Sequence, residues 1–217
     1  MNKKQGYIYA LRYDWLTGIY DPAISFTMRE RLIKNTLIER ADLKKGAKVL
    51  DVGCGTGTLL IMIKKKNPDV EIHGVDGDPK VLKIAREKAD SEEIVINLTE
   101  GMTNNLPYGN DSFDRVLSSL VFHHLTTEEK IATLKESYRV LKPGGQIHIA
   151  DFGKPGNVLM WILFNIIRGG DSFITTDDNV KGLIPEYMRS ACFKEVEEEL
   201  KINTVLGSVS FYKGIKY

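Results

Sequence analysis

Residues Val49 to Gly57 run Val-Leu-Asp-Val-Gly-Cys-Gly-Thr-Gly, and no other stretch constrains the fold as much. A short apolar run ends in an acid and is followed by glycines at every second position. The apolar part has the character of a strand buried on both faces of a parallel sheet. Gly53, Gly55 and Gly57 let the backbone turn sharply and approach a ligand with no Cβ in the way. Thr58 to Lys66 then has helical character. A strand, a glycine loop and a helix N-terminus in succession make a nucleotide-type site with backbone N–H groups aimed at the ligand.

The spacing narrows the ligand. Dinucleotide loops follow G-x-G-x-x-G, and phosphate-cradling loops end in Gly-Lys-Ser/Thr. This chain has G-x-G-x-G and no lysine at that point. Asp51, two residues before the first glycine, would repel a pyrophosphate but can accept a bond from an ammonium group. A nucleoside carrying a zwitterionic amino-acid tail suits it. The segment resembles the first motif of the class I S-adenosylmethionine-dependent methyltransferases. That resemblance implies that Asp51, Gly53, Cys54, Gly55, Thr56 and Gly57 hold the methionine and ribose side of S-adenosyl-L-methionine.

Strands and helices alternate after this point. Strands are expected at Lys48–Asp51, Val70–Asp76, Ile94–Thr99, Arg115–Val121 and Gln146–Ala150. Asp78 before Pro79 is an N-cap with proline at the first helical position. Thr126 with Glu129 is a capping box, and Ile131, Leu134, Tyr138 and Leu141 make one helical face until Lys142-Pro143-Gly144-Gly145 stops it. The alternation predicts an α/β, Rossmann-like, doubly wound parallel sheet. Val196–Val205 and Val209–Lys216 flank Leu206-Gly207-Ser208 as a closing hairpin. The resemblance implies seven strands in the order 3-2-1-4-5-7-6, the last antiparallel. Before the sheet, a helix is expected from about Ala23 to Ala41. The chain then divides as one domain, 1–217, with an N-terminal helical cap segment (1–45), a cofactor-binding core (46–151), a helical insertion or lid (152–192) and the hairpin (193–217).

Other site residues follow from strand ends. Asp76 ends the second strand, nineteen residues after Gly57, where a carboxylate can accept both ribose hydroxyls, with Gly77 beside it. Many relatives carry Asp-Ala before a Leu-Pro pair and use that acid for the adenine amine. Here Met102 stands in its place, in Gly101-Met102-Thr103-Asn104-Asn105-Leu106-Pro107. Its soft thioether can pack on adenine, leaving the amine to Thr103 or a backbone carbonyl. Ser118 and Ser119 are expected along the ribose and methionine side. Phe113 and Asp114 are expected to be structural. Val121-Phe122-His123-His124-Leu125 is similar to the family's His-His-Leu. His123 and His124 are the candidate bases. Tyr13 and Tyr20 lie on the segment that in this superfamily closes over the cofactor, and Tyr20 is a third catalytic candidate. Arg29 is weighed as a partner of the cofactor carboxylate against an ordinary solvated helix face.

The bulk numbers exclude other classes. Thirty Lys and Arg against twenty-nine Asp and Glu leave a net charge of +1, which gives nucleic acid no electrostatic support. Cys54 and Cys192 are the two cysteines and form no metal pair. His73, His123, His124, His148 and Asp151 make no ligand pattern, so no metal is expected. The first nine residues lack the apolar core of a signal peptide, and a cytoplasmic setting is expected. Val158–Ile167 is an apolar run about half the ~20 residues of a spanning helix. It is expected to pack on the core, to cover an apolar acceptor, or to touch a membrane surface. The expectation is a methyltransferase acting on a small, apolar molecule. A non-catalytic binding scaffold of the same fold and an NAD-dependent oxidoreductase are the alternatives.

Overall fold

The structure is a computed structural model and describes residues 29–155, 173–204 and 207–217. Seven strands form one sheet: β1 (Lys48–Val52), β2 (Glu71–Asp76), β3 (Asn97–Glu100), β4 (Phe113–Ser119), β5 (Leu141–Phe152), β6 (Lys194–Thr204) and β7 (Gly207–Ile215). Their order is β3-β2-β1-β4-β5-β7-β6. The first five pair in parallel, and β7 runs antiparallel between β5 and β6. Both the order and the antiparallel strand are as expected.

Six α-helices accompany the sheet among the described residues: α1 (Glu30–Arg40), α2 (Thr58–Lys66), α3 (Pro79–Ser91), α4 (Thr127–Val140), α5 (Phe173–Lys181) and α6 (Ile184–Ser190). Alternation along β1 sends Val49 to one face and Leu50 to the other. Val49, Leu117 and Ala150 pack with Ile33, Leu37 and Ile38 of α1 and Leu59, Leu60 and Ile63 of α2. Leu50, Val116, Ile147 and Ile149 pack with Leu134 and Val140 of α4 and Ile184 and Met188 of α6. A sheet covered on both faces explains why these strands are nearly continuous apolar runs.

The local signals hold. The Asp78 carboxylate accepts from the Lys80 N–H at 2.8 Å with Pro79 in the first turn, and Thr126 and Glu129 form the reciprocal capping box. Asp114 is structural, accepting from the Lys48 N–H and from Lys142 Nζ.

Several boundaries move. β3 starts three residues late, because Ile94 N–H bonds back to the Ala89 carbonyl at 2.9 Å and completes the exit of α3, with Glu93 in the left-handed region. Val95 is left 78% exposed. β4 stops at Ser119 because Leu120 adopts φ 59° and turns the chain out of the ladder. α4 does end at Val140, but Leu141–Gly145 belongs to the start of β5, with an irregularity in the β4 pairing. The buried stripe of α4 is Lys130, Thr133, Leu134, Ser137 and Val140, one position off the expected apolar face at Ile131. Within the described residues, α1 begins at Glu30 after Arg29 at φ 52°. It buries Ile33, Leu37 and Ile38, while Leu32 stays exposed.

The closest approach between layers falls at Gly74 of β2. A Cβ there would lie 2.6 Å from Leu60 Cδ1 and 2.8 Å from Cys54 Sγ, both buried. Gly74→Ala is therefore expected to cost about 1–3 kcal/mol through overpacking, read as a lower urea midpoint with an unchanged slope. A midpoint equal to the parent's would show that this contact does not limit packing.

Candidate functional site

The carboxyl ends of β1, β2, β3, β4 and β5 point to one edge of the sheet, where ligands of doubly wound folds bind. Gly53, Gly55 and Gly57 carry φ of 75°, 51° and 71°, a region that side chains other than glycine's seldom adopt. The loop hangs on β2, since Gly53 and Cys54 N–H both donate to the Val75 carbonyl at 2.9 and 3.0 Å. A Cβ on Gly57 would meet Ala85 Cβ at 2.9 Å, so that glycine lets the loop rest on α3. A Cβ on Gly53 would meet Val121 Cγ2 at 2.6 Å, which joins the loop to the turn after β4. A Cβ on Gly55 would meet no atom of the described residues within 4 Å. The middle glycine therefore faces space that the described residues leave open.

Asp76 organises this edge. Its Oδ2 accepts from the Gly55 N–H at 2.9 Å and its Oδ1 from the Asp78 N–H at 3.0 Å. Gly77 lies half-buried between them. Asp51 is in a different condition. It is 2% exposed, and its Oδ1 is buried with no hydrogen-bond partner among the described residues. Burial pushes its carboxyl up to about 7; Lys34 on α1 opposes the rise and Asp76 adds to it. Nothing in the spacing of the sequence put Lys34 near Asp51. Cys54 is buried, and burial together with Asp51 and Asp76 pushes its thiol up, which makes it unreactive. Thr56 Oγ1 accepts from Lys88 Nζ at 2.9 Å.

The Gly101 N–H donates to the Asp76 carbonyl at 3.0 Å, which places Met102 at the end of β2, and Met102 is 40% exposed. Thr103 pairs its hydroxyl with that of buried Thr133 at 2.9 Å. Ser118 donates its hydroxyl to the Val52 carbonyl at 3.0 Å, a tie between β4 and β1. Ser119 Oγ is buried without a partner among the described residues.

The turn after β4 is a 3-10 helix, Phe122–His124. It rests on Asp151, a fully buried carboxylate at the end of β5. Asp151 Oδ2 accepts from the N–H groups of Val121 (2.8 Å) and Phe122 (2.7 Å). Its Oδ1 accepts from Phe152 N–H (2.7 Å) and Asn179 Nδ2 (3.2 Å) and lies 2.9 Å from His123 Nδ1. Burial raises this carboxyl, but the His123 charge and these bonds outweigh it and hold the group below the usual carboxylate range. His124 lies against His123 with ring centroids 3.9 Å apart, and the neighbouring charge lowers it to about 4. Beneath the turn, the Nζ of buried Lys130 donates to the Thr175 carbonyl (2.5 Å) and pairs with Asp178 (3.2 Å), tying α5 to α4.

Sequence reasoning missed Asp151, Asn179, Lys130 and Lys34. Only Asp151 had a signal, its place at the end of a strand. Tyr13, Tyr20 and Val158–Ile167 lie outside the described residues. Among those residues, no group of three His, Cys, Asp or Glu could hold a metal, and no helix is long and apolar enough to cross a membrane.

Comparison with known proteins agrees with this fold. Residues 49–145 match the model of a methyltransferase domain. A demethylmenaquinone methyltransferase of Deinococcus radiodurans is 37% identical over 72% of this chain and 62% of its own length. The chain thus spans about three fifths of that relative. The enzyme of the same name from Thermus thermophilus is 31% identical over 72% of this chain and 68% of its own length. A solved methyltransferase structure from Thermotoga maritima, 20% identical, superposes with a TM-score of 0.69 over 94% of this chain and 97% of its own, which shows the fold. The chain belongs to the class I S-adenosylmethionine-dependent methyltransferases, on the branch of the demethylmenaquinone methyltransferases.

Proposed function

We propose that this chain transfers a methyl group from S-adenosylmethionine to a ring carbon of a reduced, prenylated quinone. The observation that carries the cofactor half is Asp51. A buried carboxylate oxygen with no described partner, beside a glycine next to which the described residues leave open space, fits an ammonium-bearing tail lying against bare backbone. The residues present therefore fit S-adenosylmethionine. The acceptor half draws support from the two relatives' names and from the apolar sequence Val158–Ile167.

In this reading Asp51 faces the ammonium end, and the backbone of Gly53, Cys54, Gly55, Thr56 and Gly57 lines the tail. Asp76, with Gly77, takes the ribose hydroxyls while keeping Gly55 in place. Met102 packs on the adenine. Thr103 contributes its backbone, since its hydroxyl is committed to Thr133. Ser118 holds strand ends together and Ser119 lines the methionine side. When bound, S-adenosylmethionine supplies a methyl group already activated by positive sulfur. The chain has only to align the acceptor with that methyl, an effect that in intramolecular reactions reaches ~7–11 kcal/mol.

Calorimetric titration with S-adenosylmethionine and S-adenosylhomocysteine is expected to give micromolar binding. Asp76→Ala should weaken it about ten- to a hundredfold, the range of hydrogen bonds to a charged group. Unaltered binding in that variant would remove Asp76 from the site. Label from [methyl-³H]S-adenosylmethionine should appear in a short-chain demethylmenaquinol; cofactor binding with no transfer would favour the non-catalytic scaffold.

Asp51 also gives a pH signature. Its folded pKa, about 7, lies above the usual carboxylate value, so its contribution favours folding below about pH 4 and is lost as pH rises through 7. Without ligand, Asp51→Asn should be more stable than the parent above pH 7, by more than about 1 kcal/mol, with the gap closing toward pH 4. The same variant should bind S-adenosylhomocysteine more weakly. A stability gap independent of pH would show that Asp51 is already paired in the free chain.

A further inference from the structure

We propose that Asp151 is a positioning residue that fixes His123 in the Nδ1–H tautomer, so that His123 Nε2 is the base that takes the hydroxyl proton of the ring acceptor. This rests on the reading of the acceptor as a reduced quinone. It selects one of the two histidines and gives a role to an acid that spacing alone left idle.

A carboxylate needs only one oxygen to cap a turn. Asp151 spends Oδ2 on the turn's two backbone N–H groups. Its other oxygen faces the imidazole. The other described groups bonded to Asp151, three backbone N–H groups and the Asn179 amide, are donors, and an ionised carboxylate can only accept. Nδ1 of the neutral ring must then carry its hydrogen, which leaves the lone pair on Nε2. The ring is also held in place: it packs nearly perpendicular to Phe152, with centroids 4.9 Å apart at 83°, and against His124 at 3.9 Å. Val121, two residues earlier, fills the space beside Gly53, so the base is carried by a turn built onto the glycine loop. Asn179 supplies a further donor to the same Oδ1 from α5. The titratable groups around this pair are His124 on the turn, Lys130 on α4, Asp178 on α5 and Tyr212 on β7. His124 is a poor base near neutrality, because its neighbour's charge depresses it.

The proton of the ring hydroxyl passes to Nε2, and the imidazolium is stabilised by Asp151. The electron pair left on oxygen is shared with the ortho carbon, which bonds to the methyl carbon while the C–S pair stays on sulfur. That ring carbon then loses its own hydrogen to water as a proton. Aromaticity returns, and the oxygen recovers a proton from His123. The net change is one methyl gained, one proton released and a neutral His123.

The site can be tested with and without the reaction. In ¹⁵N NMR of the free chain, His123 should show a protonated Nδ1 and a bare Nε2. Asp151→Asn should exchange the two. Two backbone N–H groups, of Val121 and Phe122, hold the amide oxygen on their side against one, of Phe152, on the other, so the amide NH₂ faces Nδ1. With the demethylmenaquinol, Asp151→Asn and His123→Asn should each lose about a hundredfold or more in kcat. The KM for S-adenosylmethionine should stay within about threefold, as expected when an interaction made only in the transition state is lost. The ascending limb of kcat against pH should vanish in His123→Asn. A protonated Nε2 in the parent overturns the proposal, as does a His123→Asn enzyme with the parent's kcat and pH limb; both can be read even if Asp151→Asn fails to fold. A parent that binds S-adenosylmethionine but leaves the quinol unmethylated overturns the acceptor reading, and the proposal with it.

Discussion

A parallel ladder leaves backbone N–H groups unpaired where strands end and crossovers begin, and those groups must find acceptors. In this chain carboxylates at the carboxyl ends of strands supply several of them. Asp76, closing β2, receives the N–H groups of Gly55 and Asp78. Asp151, near the end of β5, receives those of Val121, Phe122 and Phe152. The loops that make the site are therefore fastened by the groups that give it charge. Removing either acid would release a loop along with a charge.

The two halves of the site meet through a steric rule. Gly53 is adjacent to Val121 so closely that no side chain could stand between them. The glycine loop and the histidine turn consequently form one packed unit, although nearly seventy residues separate them in the chain. Leu120 makes the meeting possible by leaving the ladder at positive φ, which turns the chain toward β5 and its acid. Strain of this kind persists only where surrounding contacts over-determine it. Here the Leu120 N–H bond to the Ala150 carbonyl and the two bonds to Asp151 do so.

Asp51 and Asp151 show how one residue type takes different states a few strands apart. Both are buried. Asp151 is surrounded by donors and is held ionised. Asp51 has an oxygen without a described donor and is pushed up to about 7. The difference lies in partners and not in depth, since desolvation acts on both. A satisfied acid serves the architecture, and an unsatisfied one stays open to protonation.

Much of this was legible in the chain itself. The G-x-G-x-G spacing after a strand, the Asp78-Pro79 and Thr126/Glu129 caps and the β–α alternation are local. They depend on backbone conformations and residues within a few positions, and the structure reproduces them. The resemblance they support also implied the strand order. The start of β3, the exit of β4, the buried stripe of α4 and the partners of Ser118 and Thr103 were not legible, because each is set by how the neighbouring strand or helix packs. Lys130 illustrates this. A lysine beside an apolar position predicts a solvated face, yet α4 turns it inward because Asp178 and the Thr175 carbonyl wait there. The His123–Asp151 pair spans twenty-eight residues and two strands. Sequence alone determined the fold class and the glycine loop, since both follow from short-range periodicity and glycine spacing. Tertiary structure decided which acids are paired, which is left open and which histidine is oriented, because those depend on strand register and on the donors that neighbouring elements bring to each buried oxygen.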